Sequence, residues 1–202
     1  MKRPVVVIAV MIVLGLAVTA VADLAWNWLK PPNLHGMMLQ AHERAFDFSL
    51  THADGRVIKL SDYRGKIVLL YFGYTFCPDV CPATLAQVKG AYDALGSDAD
   101  RVQLIMISVD PERDTPEKTQ TYVEQFDPRF LGLTGDIDTV TRIATAFGVV
   151  FEKHAGSEAS GYLIDHTAVL TAVDRDGYAR LILPFGVSGV DLASDIRYLL
   201  TH

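Results

Sequence analysis

An uninterrupted apolar run from Ile67 to Phe72 constrains the fold of this chain more than any other feature of the sequence. Such a run predicts a strand that is buried on both faces. A second buried strand is predicted over Val102 to Val109, and a helical pattern follows each of the two. Strands that alternate with helices predict an α/β sandwich whose sheet is largely parallel at its centre. Ligands bind such sheets at the carboxyl ends of central strands, so the segment after Phe72 is a candidate site.

The remaining predicted elements complete this sandwich. Asp54-Gly55 is a turn signal that predicts an N-terminal β-hairpin, and Asp174 to Gly177 is a second turn signal in an antiparallel hairpin that closes the sheet. Further helices are predicted over 82–95, 115–126, 135–147 and 190–200, and further strands over 46–51, 57–60, 130–133, 162–164, 168–173 and 178–183.

The N-terminal segment predicts a membrane anchor. Lys2 and Arg3 precede an apolar run over residues 5–22, and Asp23 follows it. Eighteen helical residues cover roughly 27 Å, close to the thickness of the hydrocarbon core. The charge asymmetry predicts that residues 1–4 lie in the cytoplasm. We therefore expect a single-pass transmembrane helix in the inner (cell) membrane, with the functional domain in the periplasm or otherwise outside the membrane.

A cleaved signal peptide is the alternative, because Ala20-Val21-Ala22 matches an A-x-A cleavage site. The length of the apolar run favours the anchor, as do Trp26 and Trp28, which suit a membrane interface. Residues 23–44 then form a linker, and residues 45–202 form the folded domain.

The charge balance argues against a nucleic-acid partner. The chain has 18 Lys and Arg residues against 24 Asp and Glu residues, for a net charge of -6. A nucleic-acid binder needs a basic face that releases phosphate counterions. We therefore expect no nucleic acid among the partners.

The sharpest chemical signal is the segment Cys77-Pro78-Asp79-Val80-Cys81-Pro82, directly after the first buried strand. At positions i and i+4 of a helix start, the two sulfur atoms face one site, and the helix dipole stabilises a thiolate. Three intervening residues leave room for a metal ion, yet the pair can form a disulfide after a local adjustment. A purely structural disulfide is disfavoured, because a bridge that closes so short a loop removes little entropy from the unfolded chain.

Histidines supply the candidate third ligand. His166 is the one histidine embedded in the predicted strand framework, although a lone histidine beside a strand is more often a hydrogen-bonded core residue. His52, His154 and His202 are predicted to lie on the surface. Two thiolates and one imidazole suit copper, whereas structural zinc usually has a fourth protein ligand.

The nearby carboxylates have structural interpretations first. Asp79 is predicted to be a solvated loop residue, and Asp110 to Pro116 is predicted to be a paired turn that caps a helix at Thr115. A functional interpretation brings Asp110 or Asp114 close to the cysteine loop, without making either of them a ligand.

Three segments together resemble the Sco/SenC family of copper chaperones: the cysteine motif, Asp110 to Pro116, and Tyr162 to His166. The resemblance covers Phe46 to Leu200. It implies a thioredoxin-like fold with an inserted hairpin. It also implies one copper ion, as Cu(I) or also as Cu(II), with Cys77, Cys81 and His166 as ligands.

The resemblance also implies a function and its partners. The family serves assembly of the binuclear copper centre of cytochrome c oxidase, so the copper-receiving subunit of that enzyme is the expected partner. A periplasmic thiol reductant or another copper chaperone is a second expected partner, because oxidation to a disulfide would abolish the copper site.

Two functions therefore stay open. A membrane-tethered metallochaperone needs His166, whereas a thiol–disulfide oxidoreductase that reduces the receiving copper site does not. In the second case Cys77 is the attacking thiol and Cys81 the resolving one. A peroxidase-like thiol enzyme is disfavoured, because Cys81 lies too close to be a distant resolving partner. In the copper interpretation, replacing either cysteine is expected to leave the fold intact, because neither thiol is expected to be needed for packing the core.

Overall fold

The computed structural model of the chain describes residues 11–12, 14–22, 34–40, 43–156 and 161–201. It forms two compact units, residues 1–33 and 34–202. In the first unit, residues 11–12 and 14–22 are helical. Among the described residues, none of the helices combines the length and the apolar character needed to span a bilayer. The predicted anchor over 5–22 and linker over 23–44 lie partly outside the described residues, and the anchor stays a prediction.

The described part of the second unit is built on a six-stranded sheet with the order β1-β10-β9-β4-β5-β6. β4, β5 and β6 are parallel, whereas β9 runs antiparallel to β4, and β10 runs antiparallel to β9. Two separate two-stranded sheets, β2–β3 and β7–β8, complete the described strands. The strands are β1 Met37–Met38, β2 Ser49–Thr51, β3 Val57–Lys59, β4 Ile67–Gly73, β5 Val102–Ser108, β6 Leu131–Leu133, β7 Phe151–Ala155, β8 Tyr162–His166, β9 Val169–Val173 and β10 Ala179–Pro184.

Four α-helices in the described part of this unit pack around the sheet: α1 Val80–Leu95, α2 Pro116–Glu124, α3 Ile137–Ala146 and α4 Gly189–Thr201. Two short 3-10 helices, Leu60–Tyr63 and Gly96–Arg101, precede β4 and β5. α2 and α3 begin within two residues of their predicted starts, each directly after an N-cap residue. The Thr115 side chain accepts a hydrogen bond from the Lys118 amide, and the Asp136 side chain accepts one from the Thr139 amide. α1 and α4 pack closely at Gly90 and Gly189, because a Cβ on Gly189 would lie 2.8 Å from the Gly90 carbonyl carbon.

The central prediction is confirmed. Every residue of β4 is buried, and β4 lies in the middle of the sheet between β9 and β5. Its carboxyl end delivers the chain directly into the cysteine loop. The parallel order of β4, β5 and β6 brings the loops that follow these three strands to one edge of the sheet.

Two elements were not predicted. β1 places Met37–Met38 in the sheet against β10, so the structured unit begins at Leu34, earlier than the predicted boundary at residue 45. Its two methionines are exposed, so no burial pattern marks them in the sequence. β7 forms where a loop around His154 was expected, and four of its five residues are exposed. β7 and β8 form a hairpin inserted between α3 and β9, in line with the inserted hairpin that the family resemblance implied.

Candidate metal centre

The structure brings together the three residues that the sequence singles out as ligands. Cys77 lies in the loop after β4, Cys81 lies in the first turn of α1, and His166 is the last residue of β8. Their ligand atoms all lie within 4.8 Å of one another, and Cys81 Sγ is 3.5 Å from His166 Nε2. Neither cysteine is part of a disulfide. One edge of the domain therefore presents two sulfur atoms and one imidazole nitrogen to a common point.

The cysteine loop is held by the end of the neighbouring strand. The Val109 amide donates to the Gly73 carbonyl at 2.8 Å, where the chain leaves β4. The amide and the hydroxyl of Thr75 donate to the two carboxylate oxygens of Asp114, at 2.9 and 2.5 Å. The Cys77 amide then closes a turn on the Tyr74 carbonyl. The interpretation that places Asp114 close to the cysteine loop is therefore confirmed, and Asp114 holds the loop through these hydrogen bonds.

The pKa values of the two thiols are shifted in opposite directions. A hydrogen bond from the Cys81 thiol lowers the pKa of Cys77 to about 3, and the His166 side chain and the amides of Asp79 and Cys81 add to this effect against the cost of burial. The same hydrogen bond, together with burial, raises the pKa of Cys81. The pair therefore carries one negative charge, on Cys77, which is the more accessible of the two sulfur atoms.

Ring packing and a contact with the Cys81 sulfur orient His166. The rings of Tyr71 and Tyr74 meet its ring edge-on, with centroids 6.0 and 6.1 Å away. Nδ1 is buried and has no hydrogen-bond partner among the described residues. The polar contacts of the imidazole among the described residues therefore go to the cysteine sulfur atoms, with Nε2 3.5 Å from Cys81 Sγ.

Gly73 makes room for the buried sulfur. A Cβ at this position would lie 2.8 Å from Tyr71 Cε1 and 3.0 Å from Cys81 Sγ. Sequence reasoning missed this residue, although a glycine between a buried strand and a cysteine loop is a signal of close approach. Gly73 is therefore part of the site through the space that it leaves.

Two sequence expectations about the site and its surroundings need correction, and one concerns a residue outside the described part of the chain. Cys81 is fully buried and belongs to the hydrophobic core, so the expectation that neither thiol packs the core is wrong for this residue. His52 is not a surface residue: its side chain is 10 % exposed, lies 2.9 Å from Asp54 and hydrogen-bonds Gln120. His154 is exposed as expected, Asp79 is exposed too, and His202 lies outside the described residues.

The donor set fits a soft metal ion. Two thiolate-capable sulfur atoms and one imidazole nitrogen are ligands that Cu(I) accepts at low coordination number. Among the described residues, these three side chains form a group of histidine and cysteine ligands close enough together to bind one ion. The fold and the site together define a thioredoxin-like domain that carries a two-cysteine, one-histidine centre.

The chain belongs to the SCO1/SenC family, whose model matches residues 37–201. It is 39% identical to the mitochondrial SCO1 homologue of Homo sapiens over 132 aligned residues. These residues make up 64% of this chain and 44% of that protein. The chain spans about half the length of the curated relatives it matches. The family expected from the sequence is confirmed.

Two solved structures show the same fold. One is ScoI of Bradyrhizobium japonicum with copper bound, at 37% identity and a TM-score of 0.71, covering 78% of this chain and 100% of that chain. The other is apo Sco1 of Thermus thermophilus, at 38% identity and a TM-score of 0.74, covering 83% of this chain and 98% of that chain. The thioredoxin-like architecture is therefore shared with these family members.

Proposed function

We propose that this chain is a copper metallochaperone that holds one copper ion through Cys77, Cys81 and His166. The observation that carries the proposal is the convergence of the two sulfur atoms and the imidazole nitrogen within 4.8 Å. The copper-bound structure of the similar Bradyrhizobium japonicum ScoI supports the choice of metal. The thiolates suit Cu(I), and the imidazole extends the set to Cu(II).

The cargo of the proposed chaperone goes to the binuclear copper centre of cytochrome c oxidase, and its partner is the copper-receiving subunit. Transfer proceeds by ligand exchange, in which thiolates of the partner displace Cys77 and Cys81 one at a time. Half-exposed Cys77 is the first ligand to be exchanged, because Cys81 is fully buried. The helix predicted over residues 5–22 tethers the domain to the inner membrane, with the site in the periplasm.

The supply of metal and electrons comes from other proteins in this proposal. Another periplasmic copper chaperone loads the site. A periplasmic thiol reductant keeps Cys77 and Cys81 reduced, because their disulfide would remove two of the three ligands.

The second candidate function is a thiol–disulfide oxidoreductase, and the low pKa of Cys77 favours it. The Cys77 thiolate would attack a disulfide of the receiving copper site and form a mixed disulfide, releasing one partner thiolate. The Cys81 thiol would then pass its proton to the released partner thiolate and attack the Cys77 sulfur, which expels the second partner thiolate. That thiolate takes a proton from water, so the products are a reduced partner dithiol and a Cys77–Cys81 disulfide, and two electrons pass to the partner.

An anaerobic Cu(I) titration of the reduced full-length chain in detergent, against a competing chelator, tests the first function. We expect one copper ion per chain and weaker binding by His166→Ala. His154→Ala is the matched control, because His154 lies on the same hairpin but is exposed and pairs with Asp165. Wild-type binding that the chelator abolishes would overturn the copper function, and equal binding by His166→Ala would remove the histidine from the site.

A disulfide-reduction assay separates the two candidates. The oxidoreductase needs Cys77 and Cys81 and retains its rate in His166→Ala, because disulfide exchange uses no imidazole ligand. A chaperone loses copper retention in the same variant. Full reduction activity combined with absent copper binding would favour the second function.

A further inference from the structure

The hairpin that carries His166 is separate from the main sheet. β7 pairs with β8 over residues 151–155 and 162–166, and neither strand pairs with the six-stranded sheet. The backbone ladder of the main sheet reaches His166 only through the two-residue link from β8 to β9, which pairs with β4. The position of the third ligand therefore depends on this link and on side-chain contacts between the hairpin and the body of the domain.

One buried carboxylate makes these contacts. Asp110, directly after β5, is 0 % exposed. Its Oδ1 accepts a hydrogen bond of 2.6 Å from the Tyr162 hydroxyl at the start of β8, and its Oδ2 accepts one from Arg113 Nε. Each carboxylate oxygen thus holds a different partner, and one partner belongs to the hairpin.

Arg113 closes the network. Its Nη1 donates to the Tyr162 carbonyl at 3.0 Å, and its guanidinium carbon lies 3.6 Å from the centroid of the Tyr162 ring. We call Asp110, Arg113 and Tyr162 the hairpin anchor. Hydrogen bonds to a charged group are stronger than neutral ones, so the anchor is a firm attachment.

A second attachment comes from the other strand of the hairpin. Lys153 of β7 forms an ion pair with Glu112 at 2.5 Å, and its ammonium lies 4.6 Å from the centroid of the Tyr162 ring. Because this pair is partly exposed, it contributes less than the buried carboxylate does. Of the polar contacts that attach the hairpin, those of Tyr162 are the stronger, and Ile164 attaches the same strand by packing in the hydrophobic core.

The attachment reaches His166 along β8. Tyr162, Ile164 and His166 alternate along the strand, so their side chains share one face. The Ile164 amide donates to the Tyr74 hydroxyl at 3.3 Å, and the Tyr74 ring meets the His166 ring. No described residue hydrogen-bonds His166 Nδ1. Metal-ligating histidines are normally oriented by such a bond, so here the placement of the strand takes over that task.

We propose that the hairpin anchor positions His166 as the third ligand. Asp110, Arg113 and Tyr162 are positioning residues: none of them touches the metal, and they set the distance between His166 Nε2 and the two sulfur atoms. The inference rests on the proposed copper function and names the part of the chain that supports its histidine ligand.

Tyr162→Phe is the cleanest test, because it removes one hydroxyl and keeps the ring beneath Arg113. Tyr92→Phe is the matched control. Tyr92 is more buried than Tyr162, and its hydroxyl likewise forms a hydrogen bond, which it accepts from the Leu104 amide in the core. Copper affinity is measured with Cu(II) and a competing chelator on the full chain in detergent. We expect Tyr162→Phe to bind about ten-fold more weakly than wild type, a typical loss for a residue that supports a ligand, and Tyr92→Phe to bind as wild type does.

A double-mutant comparison separates positioning from general destabilisation. In a His166→Ala background, Tyr162→Phe has no ligand left to position, so we expect no further loss of copper affinity. The same loss in both backgrounds would overturn the inference, as would wild-type affinity in the single variant.

Hydrogen exchange tests the anchor without copper. In the metal-free chain, Tyr162→Phe is expected to speed exchange at the Ile164 amide, and Tyr92→Phe is expected to leave it unchanged. Unchanged exchange at this amide in Tyr162→Phe would overturn the anchor. A wild-type chain that binds no copper would instead overturn the proposed function, so the two failures are distinguishable.

Discussion

The amide and the hydroxyl of Thr75 both donate to the carboxylate of Asp114, at 2.9 and 2.5 Å. The Ser108 hydroxyl donates to the same buried carboxylate at 2.6 Å. Three donors from two segments thus meet one negative charge, and they connect the cysteine loop to the end of β5. The loop that positions Cys77 is built on charge-assisted hydrogen bonds rather than on apolar packing alone.

Asp114→Asn is expected to loosen this loop. An amide nitrogen would replace one of the two oxygens and would face a donor, so we expect a loss of about 2 kcal/mol in the free energy of unfolding. Urea unfolding measures this loss. Asp93→Asn is the control, because Asp93 forms an exposed pair with Lys89, and its loss is expected to stay below about 1 kcal/mol. Equal losses in the two variants would contradict a supporting role for Asp114.

Gly73→Ala is expected to disturb the fold and the metal centre together. The new methyl group would meet Tyr71 and Cys81 Sγ at 2.8 and 3.0 Å, so overpacking is expected to cost about 1–3 kcal/mol. Gly90→Ala is the control, because its methyl group would lie 3.7 Å from Gly189 Cα and alanine favours a helix. Thermal unfolding and a Cu(I) titration measure both effects. A stable Gly73→Ala variant with wild-type affinity would show that the sulfur has more room than its neighbours indicate.

The main lines of the fold could be predicted because they depend on local patterns. The apolar run of β4 requires burial on both faces, and the caps at Thr115 and Asp136 are short-range hydrogen bonds. β1 and β7 could not be predicted. Their residues are mostly exposed, and these strands exist because a partner strand offers free backbone groups, which leaves no periodic pattern in the sequence.

The site could also be predicted only where it depends on local spacing. The convergence of Cys77 and Cys81 follows from their spacing at a helix start. His166 was a candidate from its place in the predicted strand framework, and the family resemblance made it the expected ligand. Its proximity to Cys81 spans 85 positions of the sequence. The bond between Tyr162 and Asp110 spans 52 positions, and only the folded chain reveals it.

The pair Asp127 and Arg129 predicts a pH dependence of stability. Hydrogen bonds from Arg129, at 2.8 Å from Nε and 2.7 Å from Nη2, lower the pKa of the Asp127 carboxyl. A lowered pKa in the folded state contributes stability above the unfolded value of about 3.9, and this contribution is lost as the pH falls through the folded value. Because Arg129 is 44% exposed, we expect Asp127→Asn to cost only about 1 kcal/mol at pH 7.

Urea unfolding at several pH values between 7 and 3 is the measurement for this pair. The difference between wild type and Asp127→Asn is expected to shrink as the pH falls below about 4. Asp100→Asn is the control, since Asp100 is 82% exposed and lies 3.9 Å from the same arginine. A difference that is independent of pH would contradict a contribution from the ionised carboxylate.

The Cys77→Ser and Cys81→Ser variants are expected to differ in stability. Both variants lose tight Cu(I) binding, because each lacks one thiolate ligand. Cys81 is fully buried, so a hydroxyl in its place is expected to lower the free energy of unfolding by about 1–2 kcal/mol. Cys77 is only half-buried, and its replacement is expected to cost less than about 0.5 kcal/mol. Thermal unfolding of the reduced, metal-free variants measures the difference. Loss of cooperative unfolding in Cys77→Ser would instead assign the loop thiol a structural role, because no metal is present to account for it.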